Sequence, residues 1–168
     1  MLKPGDRAPE FSLPDESGAE ISLTGLLHQG PLILFFYPGD FTPVCTREAC
    51  MVQDLHQDIL RVGLSVAGIS PDDPASHQRF KSKLSLAFPL LADPERHVAR
   101  MFGVIGPLGF SVRRATFLID QQRVIQNRIC ADLMVGRHEE FVRRAVMLRE
   151  LAAGGQHGGV ADGPNPEP

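Results

Sequence analysis

Two of the chain's three cysteines lie five positions apart, Cys45 and Cys50 in the stretch FFYPGDFTPVCTREAC. The spacing is wider than the C-x-x-C of dithiol oxidoreductases. On one helix, residues five apart differ by about 140° around the axis and about 7.5 Å along it, which puts their Cα atoms about 8.6 Å apart. A disulfide tolerates no more than about 7 Å. The two thiols are therefore either independent helix residues, packed as small hydrophobes, or a redox pair that closes only when the first helical turn unwinds.

The surroundings of Cys45 favour chemistry. An apolar run ends at Tyr37, the loop PGDFTPV follows, and a helix is expected to begin near Cys45. The unpaired N–H groups and dipole of a first helical turn favour an anion, so a thiol there is favoured as its thiolate. Thr42 supplies a hydroxyl three residues earlier. Pro38 and Pro43 lack N–H groups and stiffen the loop, which would fence the sulfur from bulk water. A shielded thiolate suits attack on a small electrophile. A metal site is the weaker reading, because His28, His56, His77, His97, His138 and His157 show no ligand spacing with one another or with a cysteine. His56 would stand roughly 16 Å along the helix from Cys45, too far to be its base. Most of the histidines are expected at the surface.

The elements that must position these residues follow from hydrophobic periodicity. FSLP and EISL read as an N-terminal hairpin across DESGA, and PLILFFY as a central strand buried on both faces. LSVAGIS (64–70), ATFLID (115–120) and RVIQNRI (123–129) read as further strands. Cys45, Ala49, Val52, Leu55, Ile59 and Val62 mark one face of a helix from Thr42 to about Val62. A second helix is expected over 74–84 with Asp73 as its cap, and a short one over ERHVARMF. A last helix, GRHEEFVRRAVMLRELAA, should bury Phe141, Ala145, Leu148 and Ala152. The order β-α-β-α-β-β-α defines an α/β domain over residues 1–152, a mixed central sheet with helices on both faces; the thioredoxin fold is one member of this class. Residues 153–168, rich in Gly and Pro, read as a disordered tail.

Composition narrows the partners. A formal net charge of −3 and the lack of a basic cluster beyond Arg113–Arg114 and Arg143–Arg144 argue against nucleic acid and anionic membranes. No apolar run is long enough to span a bilayer. The start MLKPGDRAPEF has no secretory or transit pattern, so a cytoplasmic location is expected. There thiols stay reduced, and an odd number of cysteines speaks against a disulfide framework.

PGDFTPVC resembles the Pro-x-x-x-Thr-x-x-Cys motif of the peroxiredoxins, with Pro38, Thr42 and Cys45 at its fixed positions. The likeness continues through GDRAPEFSLPDESG, GISPDDPASHQRF, FPLLADPE and RRATFLID, and so covers about residues 3 to 150. Cys50 further resembles the resolving cysteine of the Q-type, bacterioferritin-comigratory-protein-like subgroup. The resemblance implies a thioredoxin fold and a thiol peroxidase without metal, haem or flavin cofactor. Cys45 would attack a hydroperoxide and become a sulfenic acid. Cys50 would condense with it to a disulfide, and thioredoxin or a similar dithiol would reduce that bond. The family's arginine falls on Arg114, an electrostatic stabiliser of the thiolate. Strand alternation sends Arg113 to the opposite face. Glu48 either orients the arginine or is an exposed helix carboxylate.

Cys130 has no counterpart in this scheme and reads as a packed strand residue, with a resolving role left open. The apolar loop GVIGPLGFSV is expected to pack against a neighbour rather than to border a substrate entrance and favour apolar hydroperoxides. A monomer or weak dimer is expected. Competing readings are a general disulfide oxidoreductase, a copper-binding thioredoxin-fold protein, and a redox sensor using the same thiols.

Overall fold

The computed structural model describes residues 1–154. Strands β1 (Ser12–Pro14) and β2 (Glu20–Ser22) pair antiparallel, with Leu13 opposite Ile21. Their turn is closed by the Asp15 carboxylate, which accepts from the N–H groups of Ser17 and Ala19. Ser22 then caps the short helix α1 (Leu23–Leu27). The main sheet and its helices follow as β3 (Leu32–Phe36), α2 (Pro43–Arg61), β4 (Ser65–Ser70), α3 (Pro74–Leu84), β5 (Leu90–Ala92), α4 (His97–Met101), β6 (Ala115–Ile119), β7 (Ile125–Cys130) and α5 (Val135–Gly154).

The strand order is β5-β4-β3-β6-β7. β3, β4 and β5 run parallel, whereas β6 is antiparallel to β3 and β7 antiparallel to β6. The central place of β3 explains its unbroken apolar run. Leu32, Leu34 and Phe36 face a core closed by α1, α4 and the hairpin segment. Ile33, Phe35 and Tyr37 face a second core closed by α2, α5 and Phe80 of α3. Such two-sided burial is what a strand in the middle of a covered sheet requires. Gly68 in β4 permits the close fit of the second core, since a Cβ there would stand 2.7 Å from the ring of Phe35. This is the α/β mixed sheet of the thioredoxin fold, with helices on both faces and an N-terminal hairpin.

Several expectations need correction. The sequence reading lacks α1 and β5, elements of five and three residues, too short to show a period. On α5 the buried residues are His138, Val142, Ala145 and Val146; Leu148 and Ala152 are exposed, so the expected face is rotated. His56, His77 and His138 are buried rather than at the surface. Helix α5 continues through Gly154, two residues into the expected tail, and the rest of that tail lies outside the described residues. The loop 103–112 folds back on itself through an Ile105–Val112 bridge and leaves Leu108 and Phe110 about four-fifths exposed (80% and 79%).

Candidate active site

The site forms where β3 runs out and α2 begins. Thr42 has extended backbone geometry and is the N-cap of α2; its Oγ1 accepts the Cys45 N–H at 3.3 Å. Pro43 fills the first helical position, where its missing N–H costs nothing. Cys45 thus sits in the first turn, at the positive end of a 19-residue helix, and is only 2% exposed. Pro38 lies exposed in the loop, and Phe41 before the cap adopts φ of 59°, a left-handed conformation unusual for a bulky residue. The loop is pinned from below. Asp40, buried, accepts from the Tyr37 hydroxyl (2.9 Å) and the Ser76 hydroxyl (2.8 Å), and lies 2.9 Å from His77 Nδ1. Its own N–H donates to Asp72. Burial, then the Asp40 charge, push the Tyr37 phenol well above its usual value.

Arg114 comes from the opposite side, just before β6. Its Nη2 donates to Cys45 Sγ at 3.0 Å, its Nε to the Asp132 carbonyl at 3.2 Å, and its Nη1 to Glu48 Oε2. Asp132 Oδ1 also accepts the Arg114 N–H, while Oδ2 pairs with Arg113, which points the other way and is part-exposed. Arg114 is the largest fully buried side chain among the described residues, and Glu48 is as buried as it is. Burial pushes the Glu48 carboxyl up to about 7, against the lowering pull of Arg114. Arg114 itself is held above its usual value, because Glu48 and Cys45 outweigh its own loss of solvation. Beyond Glu48 lies His138 of α5. Its Nε2 meets the Ala131 carbonyl at 3.0 Å, its Nδ1 the Thr116 hydroxyl at 2.8 Å, and Glu48 Oε1 stands 3.6 Å from Nδ1.

The structure therefore brings together Cys45, Thr42, Arg114 and Glu48, and adds Asp132, Thr116 and His138, which the sequence reading did not pick out. One signal pointed to His138: it precedes Val142 by four residues and Ala145 by seven, the spacing of a helix's buried stripe. Cys50 lies on the same unbroken helix, half-buried and off the Cys45 stripe, and all three cysteines are free thiols. Cys130 pairs with Ala115 across β6–β7 and packs into the first core, on the other side of the sheet from Cys45. Burial raises its thiol above the usual value. Among the described residues no group of three His, Cys, Asp or Glu side chains is placed to hold a metal ion. None of the described helices is long and apolar enough to cross a membrane.

A buried cysteine at a helix start, facing an arginine from a thioredoxin-type sheet, defines the class of thiol peroxidases built on that fold. The chain belongs to the AhpC/TSA family, whose model matches residues 4–128. Peroxiredoxin Bcp of Escherichia coli K12 is 38% identical over 147 residues, covering 84% of this chain and 93% of the relative. The crystal structure of peroxidoxin BcpB from Mycobacterium tuberculosis is 37% identical, with a TM-score of 0.78 over 86% of this chain and 98% of that one. The bacterioferritin comigratory protein of Xanthomonas campestris, in a structure concerned with its alkyl peroxide reduction, is 26% identical. It has a TM-score of 0.77 over 88% of this chain and 96% of that one. The chain is a peroxidase-type oxidoreductase, and the expectations of family and fold hold.

Proposed function

We propose that the chain reduces hydrogen peroxide and organic hydroperoxides through Cys45, with Cys50 as the resolving thiol and a thioredoxin-like dithiol as reductant. The observation that carries this reading is the 3.0 Å contact between Arg114 Nη2 and the buried Cys45 Sγ at the start of α2. A guanidinium and a helix N-terminus together favour the thiolate, the nucleophilic form. The thiolate attacks the terminal oxygen of the hydroperoxide. The O–O bond breaks, Cys45 becomes a sulfenic acid, and the departing alkoxide takes a proton to leave as an alcohol, or as water from hydrogen peroxide. Arg114 is placed to neutralise negative charge as it spreads from sulfur towards the leaving oxygen. Thr42 positions the Cys45 N–H, Pro38 shapes the loop, and Glu48 holds the arginine in its place.

The Cys50 thiol then condenses with the sulfenic acid, forming the disulfide and releasing water. Because α2 is continuous through both residues, this step requires its first turn to open. The dithiol reductant returns both thiols and is itself oxidised to a disulfide. The alkyl peroxide reduction of the Xanthomonas relative supports an organic hydroperoxide among the substrates. A cytoplasmic location suits reduced thiols, and a monomer or weak dimer is sufficient for a site built from one chain. Hydroperoxide consumption coupled to thioredoxin and its reductase tests the scheme. Cys45→Ser should abolish turnover, whereas Cys50→Ser should consume one peroxide per chain and stop at the sulfenic acid. Full multiple turnover by Cys50→Ser would remove Cys50 from the resolving role.

A further inference from the structure

The peroxidase reading accounts for one side of Glu48 and leaves the other unexplained. Oε2 is bound by Arg114, but Oε1 is buried and has no hydrogen-bond partner among the described residues. A buried carboxylate oxygen without a donor is costly. The polar atom set against it is His138 Nδ1, at 3.6 Å, from a side chain with no exposure to solvent. The hydrogen bonds of the ring decide what that nitrogen offers. The Ala131 carbonyl can only accept, so Nε2 carries the proton there. Nδ1 is then a lone pair, which accepts from the Thr116 hydroxyl at 2.8 Å. An ionised Glu48 would set oxygen lone pairs against a nitrogen lone pair between two buried side chains. A carboxyl protonated at Oε1 removes that repulsion and offers the nitrogen a donor in competition with Thr116.

We propose that His138 is a positioning residue for a proton on Glu48, its Nδ1 lone pair favouring the neutral carboxyl and so leaving the charge of Arg114 to Cys45. The proposal rests on the Cys45–Arg114 site described above and adds charge accounting to it. Arg114 is one cation between two acids. If Glu48 and Cys45 are both anionic, the buried cluster carries a net negative charge and each anion opposes the other. If the proton rests on Glu48, the cluster of thiolate, guanidinium and carboxylic acid is neutral. The one cation can match only one of the two anions, so a proton held on Glu48 leaves Arg114 to the sulfur.

The charged and titratable groups around the pair agree with this. Cys45 and Glu48 come from α2, Arg114 from the approach to β6, Asp132 from the segment after β7, and Arg137 from α5 itself. Burial, then the nearby cations Arg114 and Arg137, lower His138 to about 4, against the pull of the Ala131 carbonyl and Asp132, so its ring stays neutral at neutral pH. The same burial raises Glu48.

The test is alkylation of Cys45 by iodoacetamide across pH in a Cys50→Ser, Cys130→Ser background, which reads the thiolate without any peroxide. His138→Phe should slow alkylation at neutral pH by up to roughly tenfold, the change in thiolate population that one pK unit gives. His138→Gln, able to donate to Ala131 and accept from Glu48, should restore most of the rate. Thr116→Val removes the competing donor to Nδ1 and should act in the opposite direction, speeding alkylation. In a Glu48→Gln background, where no proton can leave, neither substitution should change the rate. Effects that persist in that background, or that share one sign, would overturn the proposal. Should His138→Phe fail to fold, Thr116→Val decides alone: no acceleration, or one that survives Glu48→Gln, refutes it. An alkylation profile insensitive to Arg114→Gln would overturn the underlying site reading instead.

Discussion

Replacing Arg114 gives the sharpest test of the peroxide step. Two unit charges 3.0 Å apart attract by about 5.5 kcal/mol at an effective dielectric of about 20. Part of this offsets the water lost by the buried thiolate and guanidinium. Removal of one preorganised donor from such a site costs about 2.7–4 kcal/mol, or 10²–10³ in rate. Arg114→Gln, which keeps a planar donor but no charge, should therefore slow sulfenic acid formation by about 10²–10³. Arg114→Lys keeps the charge but not the fork. A single ammonium cannot reach Cys45 Sγ, Glu48 Oε2 and the Asp132 carbonyl together, as Nη2, Nη1 and Nε do. A displacement of about 1 Å is enough for a loss of up to about a hundredfold, and an intermediate rate is expected. With no tryptophan in the chain, indole fluorescence cannot follow the reaction. Competition with a haem peroxidase for limiting hydrogen peroxide gives the rate, and intact mass gives the sulfenic acid in a Cys50→Ser background. If Arg114→Gln stayed within about threefold of the parent, the charge would contribute under 1 kcal/mol and the electrostatic argument would fail.

Loss of the cap and loss of the buried proton give two more expectations. Thr42→Ala deletes the acceptor for the Cys45 N–H and should cost about 1 kcal/mol in urea unfolding; by fraying the first turn it should also speed Cys45–Cys50 closure after a peroxide pulse. An unchanged closure rate would separate the cap from the opening step. In stability against pH, Glu48 and His138 should oppose each other. Glu48 is raised from an ordinary 4.5 to about 7, so the folded chain binds the extra proton and this contribution is lost as pH rises through that window. His138 is lowered from 6.5 to about 4, so the unfolded chain binds the extra proton and stability rises with pH over that range. Each term spans about 3 kcal/mol and they overlap between about 4.5 and 6.5. Glu48→Gln should therefore unmask a rise, and His138→Gln a fall, in urea midpoints measured across this range; parallel slopes in the two variants would contradict the assignment.

What was legible in the sequence depended on whether one element carried the signal. β3 announces itself because a strand at the centre of a covered sheet must be apolar on both faces. The Cys45 stripe on α2 was readable for the same local reason. β5 has only three residues and borrows its identity from β4, so no period marks it. The face of α5 was displaced because Phe141 and Leu148 look more apolar than His138, yet the histidine is buried through two hydrogen bonds that no local pattern encodes. Glu48 reads equally as a solvated helix carboxylate, and its pairing with Arg114 spans 66 residues. Positions of chemistry-bearing residues were legible; the long-range partners that set their charge were not.

The spacing of Cys45 and Cys50 ties this charge logic to the fold. On the proposed scheme the first turn of α2 must hold for the thiolate to be shielded and must open for Cys50 to reach it. In the reduced chain, two side-chain bonds to Cys45 fasten it, the Thr42 cap and the bond from Arg114 to the sulfur. The first is a neutral hydrogen bond from the Cys45 N–H to an exposed residue, worth about 1 kcal/mol. The second has a cationic donor, and it gains the attraction of an ion pair only while the sulfur is anionic. Oxidation to the sulfenic acid removes that charge, so on the proposed scheme the chemical step itself weakens the stronger fastening. The five-residue gap, unsuited to a disulfide in an intact helix, then works as an ordering device: the resolving thiol gains access after the peroxide has reacted and not before.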